Sequence, residues 1–531
     1  TWIVNDKLTL SYGVRVDMPS VGEAPAFNAA ASAPVGPLVS GRRTGGFGLR
    51  NDVTIDGKEL VQPRFGFNYT FASERQTQLR GGLGLFQGAA ANVWLSNPYS
   101  NTGIATRIIG CGGSFGLNCP AGTFSPNPNT QPTLAGTPPT ANVDFIADNL
   151  RQPSVWKANI AFEHELPWWN MVFSAEYVQT QVKDGINYRF LNLGDASRIG
   201  RDGRQLFYTT QGYNTNCWTT TGTAITSGII NGFNCSGNRS RAGSNAAFNN
   251  VIVAENTTKG RGDNLTIGLQ RPMINDWAWS LAYSYTDATD VNPLTSSTSN
   301  SNWLNRASFD PNENVASRSN YVNRDRFIAS VQWQHAFWGE NKTSVGLFYE
   351  GRTGKPYSWT YNNDLNGDGV FGNDLMYIPS PGDNTVSFRD LNANGSGDEE
   401  AAFWAVVNAN PELRRSLGGV VGRNDSFSRF VNTFDLRVSQ EFPGFFDKNK
   451  FIVTLDVLNV GNLLNKKWGR TDEIGFPLNR SFVNFGGIDA QGRYVYIVPN
   501  TAGVANIEDF VTRQERAESQ WAAQLTLKYT F

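Results

Sequence analysis

Histidine and cysteine are scarce in this chain, and long apolar runs are missing altogether. Its 531 residues include only 2 histidines, His164 and His335, and 4 cysteines. Two scattered histidines supply neither a Ser/His/Asp nor a Cys/His catalytic set, which argues against an enzyme working by those routes. They also lie far from the cysteines, which lack Cys-x-x-Cys spacing, so a zinc site is excluded. Charged residues are only 17%, with 45 Lys+Arg against 46 Asp+Glu. Such a balance gives no nucleic-acid surface and no long-range steering field. No stretch approaches the roughly 18 uninterrupted apolar residues of a transmembrane helix. The mean hydropathy of −0.37 would by itself suggest a soluble protein.

What the sequence has instead is alternation. In Trp521-Ala-Ala-Gln-Leu-Thr-Leu-Lys-Tyr-Thr-Phe531, residues Trp521, Ala523, Leu525, Leu527, Tyr529 and Phe531 share one face, and Gln524, Thr526, Lys528 and Thr530 share the other. Strand side chains point to opposite faces with period two, so a strand between lipid and a watery lumen is apolar on one side and polar on the other. A terminal aromatic is also the usual last residue of a bacterial outer-membrane protein. The pattern recurs in about a dozen runs, each close to the 9–11 residues that a tilted strand needs to cross the hydrocarbon layer. Examples are Leu8/Leu10/Tyr12/Val14/Val16, Phe65/Phe67/Tyr69/Phe71, Trp156/Ala158/Ile160/Phe162, Trp279/Leu281/Tyr283/Tyr285, Phe327/Ala329/Val331/Trp333, Phe434/Leu436/Val438 and Phe451/Val453/Leu455/Val457. The charged residues Glu163, Glu176, Arg326, Glu350, Asp435, Arg437 and Asp456 fall on the opposite, lumen-lining face.

The connections alternate as well. Short links fall at 72–75, 166–170, 273–276, 338–341 and 443–449, and long ones near 18–59, 88–152, 184–250, 290–323, 358–425 and 466–515. Outer-membrane barrels have short periplasmic turns and long extracellular loops. Counting back from a periplasmic Phe531 puts residues 2–6 in the periplasm and makes the strand count even. Aromatics crowd the short turns (Trp168, Trp169, Trp277, Phe337, Trp338, Phe442, Phe445, Phe446), as an interfacial girdle requires. The fold expected for residues 1–531 is therefore all-β, a transmembrane antiparallel outer-membrane β-barrel in contact with outer-membrane lipid of a Gram-negative cell.

The four cysteines form two pairs, Cys111/Cys119 and Cys217/Cys235, each inside one external loop. Local disulfides are the expectation, since the cell surface permits them and a loop without its own core gains from a staple. The loop at 358–425 carries the one motif with specific chemistry. Asp364-Leu-Asn366-Gly-Asp368-Gly369 sets oxygen side chains at alternate positions before a glycine, as in the first half of a calcium loop. The twelfth position of that loop type is Leu375 rather than Glu, so Asp374 would have to substitute. Asp390-Leu-Asn392-Ala-Asn394-Gly-Ser-Gly-Asp398 repeats the spacing. Calcium is the expected cofactor, held by these residues, on the argument that a loop with little apolar material gains from an ion. Asx-Gly turns without a metal are the plain alternative.

An ordered set of segments carries a family resemblance. Leu8-Thr-Leu-Ser-Tyr-Gly-Val-Arg-Val-Asp17, Pro63-Arg-Phe-Gly-Phe-Asn-Tyr69, Leu79-Arg-Gly-Gly-Leu-Gly-Leu-Phe86, Gly354-Lys-Pro-Tyr-Ser358, Asn373-Asp-Leu-Met-Tyr-Ile-Pro379, Asp456-Val-Leu-Asn-Val-Gly-Asn-Leu-Leu-Asn465 and Glu518-Ser-Gln-Trp-Ala-Ala-Gln-Leu resemble the barrel of Oar-like TonB-dependent outer-membrane receptors. The resemblance implies a barrel of about 22 strands, of which this chain is expected to be the C-terminal part, without signal peptide, TonB box or plug. Partners implied are a plug and N-terminal strands, in the same protein or a companion chain, and the TonB complex through an absent N-terminal segment. A closed barrel of about twelve strands is the alternative, because open edges are not tolerated in lipid. The implied function is energy-coupled uptake of an unidentified ligand. A surface-structural or adhesion protein anchored by the barrel, and a passive pore, are the rival readings.

Overall fold

The computed structural model describes residues 1–88, 92–104, 110–111, 116–117, 123–132, 140–446, 449–499, 512–514 and 518–531. It is built around a sixteen-stranded sheet whose main path follows chain order. That path comprises β1 (Trp2–Asn5), β2 (Leu8–Asp17), β3 (Leu60–Thr70), β4 (Thr77–Gln87), β5 (Ser154–Glu165), β6 (Val172–Phe190), β7 (Arg261–Ile274), β8 (Trp277–Asp290), β9 (Asp325–Trp338), β10 (Asn341–Arg352), β11 (Val431–Pro443), β12 (Lys450–Leu458) and β13 (Ala522–Thr530). All neighbours on it are antiparallel. Among the described residues the path ends at β1 and β13.

Register carries the expected apolar faces onto a single surface. Leu269 lies opposite Leu281, Leu281 opposite Ala329, Val331 opposite Leu347, Leu347 opposite Leu436, Leu436 opposite Val457 and Leu455 opposite Leu525. These side chains are exposed rather than packed: Leu525 is 73% accessible, Tyr12 67% and Leu281 51%. A soluble sandwich would bury them, so the surface is the one that lipid covers. The short-turn aromatics are open too, with Trp169 at 72% and Phe445 at 79%, as an interfacial girdle is and a core is not. At the β7–β8 turn, Asn275 and Asp276 both adopt positive φ (50° and 67°). That backbone twist suits a two-residue hairpin, and Asn and Asp tolerate it better than most side chains. No described helix is long and apolar enough to cross a membrane.

Three sequence expectations are corrected. Residues 2–6, counted only as lying in the periplasm, include a short strand, Trp2–Asn5, paired Trp2↔Leu10 with β2. The 184–250 connection is not all loop. Strand β6 runs 19 residues, and beyond its pairing with β7 its Gly185–Phe190 end pairs with the strand Phe248–Thr257, which runs parallel to Ala141–Ile146. Val251, Ile252 and Val253 there are all buried, so the strand shows no alternation. The third correction concerns apolar content. The external loops bury Trp359, Tyr361, Phe403, Phe485 and Tyr496 in one core together with Tyr208, Trp218 and Ala307. The loop at 358–425 even contains a helix, Asp398–Ala409, with Asp398, Glu399 and Glu400 in its first turn, where carboxylates favour the positive end of the helix dipole.

Candidate functional site

Two surfaces remain once the lipid face is assigned: the polar face of the sheet and the external cap. The seven charged residues read as lumen-lining all sit on the polar face, and most of their charges are paired across neighbouring strands. Glu163 meets Arg80 at 2.8 Å, Arg326 meets Glu350 at 2.7 Å, and Arg437 meets Asp456 at 3.3 Å. Glu176 accepts from the amide of Asn159 at 3.0 Å, and Asp435 accepts the backbone N–H of Asn459 at 2.7 Å. Arg80 is the residue the sequence reading passed over. Its signal was available, because position 80 falls on the polar side of β4 by the same period of two. The histidines lie on strands as expected, His164 against Thr77 and His335 against Asp276.

The cap is assembled from the loops that follow β6, β8, β10 and β12, which contribute Tyr208, Ala307, Trp359 and Phe485 respectively to one core. At roughly 4.8 Å per strand, β6 and β12 stand about 29 Å apart along the sheet, so these loops converge across the end of the wall. Cys217 and Cys235 are bonded within it. Cys119 lies outside the described residues, and with it the Cys111–Cys119 pairing. At the centre is Arg204, with no exposed side-chain surface, whose Nε meets Asp202 at 2.7 Å and whose Nη1 meets Asp374 at 3.5 Å. Its Nη2 donates to the carbonyl of Leu375 at 2.6 Å.

The first oxygen-rich run is drawn together and buried. Asp364 accepts the backbone N–H groups of Gly367 and Gly369 at 2.6 and 2.9 Å. Asn366 accepts from Asp368 N at 2.8 Å, and Asp368 from Val370 N at 2.7 Å and the Asn373 amide at 3.0 Å. Asp374 accepts Leu365 N at 2.7 Å. These are Asx turns, in which the side chains satisfy the loop's own backbone. Burial raises all three carboxyls above their ordinary range, and repulsion from neighbouring carboxylates adds to it at Asp364 and Asp374. Asp364 is pushed well up by burial and by Asp368 and Asp374. Asp374 is pushed up to about 7 by burial and Asp368, against the pull of Arg204. The second run is exposed and makes the same turns: Asp390 accepts Gly395 N at 2.8 Å, Asn392 accepts Asn394 N at 3.2 Å, Asn394 accepts Ser396 N at 2.8 Å, and Asp398 accepts the Ser396 hydroxyl at 2.8 Å. Among the described residues, no three His, Cys, Asp or Glu side chains converge as a metal site would need.

A meander with one lipid face, one ion-paired polar face, short aromatic turns on one side and a folded cap on the other is the wall of an outer-membrane barrel. The chain belongs to the family described as outer membrane beta barrel domain, which matches residues 1–493, and its place is the outer membrane of a Gram-negative cell. No curated protein matches it. Among solved structures it is similar to the outer membrane transporter YddB of Escherichia coli, at 10% identity and a TM-score of 0.39 over 83% of this chain and 39% of that one. The copper transporter OprC matches at 10% identity and 0.33, over 87% and 41%. A ferric enterobactin receptor of Pseudomonas aeruginosa matches at 12% identity and 0.35, over 82% and 38%. The chain thus spans about two fifths of the length of these structures.

Proposed function

We propose that the chain is the C-terminal barrel wall and external cap of an Oar-like TonB-dependent receptor. It would capture a ligand at the cell surface and admit it by energy-coupled transport, without itself being an enzyme. A plug and further strands, in the same polypeptide or a companion chain, would complete a barrel of about 22 strands, and the plug side would engage the TonB complex. The observation that carries this reading is the cap: four external loops fold on one core above a polar, charge-paired wall, which suits a gated receptor better than an open channel. The test is conductance of the intact polypeptide in a planar bilayer, alongside sequencing of its N-terminus. A gated receptor gives no steady current and carries a plug and TonB box upstream. A steady ohmic current would support a passive pore, and an upstream segment without those parts would support a surface anchor.

Calcium in the cap is a second proposal, with its own observation. The buried carboxylates of Asp202, Asp364, Asp368 and Asp374 are faced by two guanidinium groups, Arg204 and Arg241, and the Oδ1 atoms of Asn373 and Asp374 accept no hydrogen bond. A divalent cation would offset the surplus negative charge. A rise in cap stability with calcium at neutral pH, lost in D364A/D368A, tests it.

A further inference from the structure

The external loops enclose a hollow that involves neither the buried aspartates nor the polar wall. It lies where three connections begin or end, above β2, β3 and β5: Pro19 and Val21 follow β2, Ile55 leads into β3 and Gln152 into β5. Its volume is about 390 Å³, within the range of small-molecule sites. One wall is the helix Asn92–Ser100, which turns Asn92, Leu95, Ser96 and Tyr99 to the hollow. Those positions are i, i+3, i+4 and i+7, a single helical face.

The walls are held in place by the protein's own bonds. The Val21 N–H donates to Asp56 at 2.8 Å and the Gly57 N–H to the Pro19 carbonyl at 3.0 Å, which ties together the two arms of the first loop. The helix is pinned to the loop after β8, with Trp94 Nε1 on the Ser296 carbonyl at 2.7 Å and the Asn97 amide on the Ser297 carbonyl at 3.0 Å. Ile55 and Ile146 are 4% and 3% exposed, and Val21 and Leu95 pack against the same cluster, so the floor is hydrocarbon. The polar side chains Ser20, Asn92 and Gln152 are neutral, and among the described residues no charged side chain lines the hollow. A ligand carrying a full charge would lose hydration there and gain no counterion. An apolar cavity of about 150 Å³ takes one benzene, so this one has room for roughly two fused rings and a polar group.

We propose that this pocket binds an uncharged, mostly hydrocarbon molecule of about two fused rings, with Ile55, Leu95 and Ile146 against the rings and the Asn92 and Gln152 amides on its polar group. That such a molecule is the captured ligand rests on the receptor reading; that it binds does not. The intact polypeptide in lipid nanodiscs at pH 7 would be titrated with tritiated 2-naphthol, with empty nanodiscs giving the lipid background. One molecule per chain should bind above that background. Both 2-naphthoate and 2-naphthylmethylammonium, with one charge of either sign, should bind at least about tenfold more weakly. L95A should weaken 2-naphthol roughly tenfold through lost apolar contact. S96W, which projects a ring into the hollow from an exposed position of the helix face, should abolish saturable binding, and it decides alone if L95A fails to fold. No binding above background, equal affinity for 2-naphthol and either charged analogue, or unchanged binding in S96W would overturn the proposal. Saturable 2-naphthol binding together with a steady ohmic current in the bilayer would strike the receptor reading and leave the pocket standing.

Discussion

Replacing Arg204 with Met should open the cap and leave the membrane wall intact. The guanidinium is fully buried with Asp202 and Asp374, at 1% and 0% exposure, on Nε and Nη1, and its plane sits near the rings of Phe309 and Tyr361 at 5.1 and 5.7 Å. Met keeps most of the stem volume but removes the charge, so two carboxylates lose their counterion without a cavity opening. Breaking a buried pair by removing one partner costs about 3–5 kcal/mol, or roughly two to three and a half orders of magnitude in the cap's opening equilibrium. Hydrogen exchange of the protein in detergent at pH 8 reads this directly, at the Leu365 and Asn366 amides that donate to Asp374 Oδ2. Amides of β7 to β9, held by closed backbone pairing, should exchange at the wild-type rate. At pH 5 the defect should shrink, because protonation relieves the orphaned Asp374 carboxylate, which burial already pushes up to about 7. Adding Asp374→Asn should restore part of the protection as a double-mutant cycle. Acceleration below tenfold at pH 8, or equal acceleration in the strands, would show that Arg204 does not hold the cap.

Three further outcomes follow from the same geometry. Burial pushes Asp374 up to about 7 in the folded cap against an ordinary value of 3.8, so the folded state binds a proton that the unfolded state does not between those values. Cap stability should therefore fall as pH rises from about 4 to 7, by up to about 1.4 kcal/mol per pH unit, and level off above that. Thermal shift with chelator present checks the slope, and added calcium should stabilise at pH 7.5 but not at pH 4.5 if the carboxylates hold the ion. The Cys217–Cys235 bond closes a loop with a sequence separation of 18, worth about 3 kcal/mol by loop entropy. C217S/C235S should make residues 205–245 protease-sensitive while β6 and β7 stay protected, and mass spectrometry without reductant should find the native pair joined. A cysteine introduced at Asn129 should label from outside intact cells and one at Asn449 should not; the reverse would invert the topology.

The wall of this protein was written in its sequence, because strand alternation is a local property with a period of two. Leu281, Tyr283 and Tyr285 declare their face without knowledge of any partner, and the contrast of short and long links orders the strands and sets their direction. The polar-face positions of Glu163, Arg326 and Asp456 were legible for the same reason, and so was Cys217–Cys235, since both residues belong to one loop. What tertiary structure alone decided is whatever joins distant segments. Tyr361 and Tyr496 share a hydrogen bond of 2.7 Å across 135 residues, and Arg204 reaches Leu375 across 171. Neither contact leaves a periodic trace, so loops that read as polar and coreless hide a packed cap. The strand Phe248–Thr257 escaped because burial on both faces removes the alternation that marks a strand.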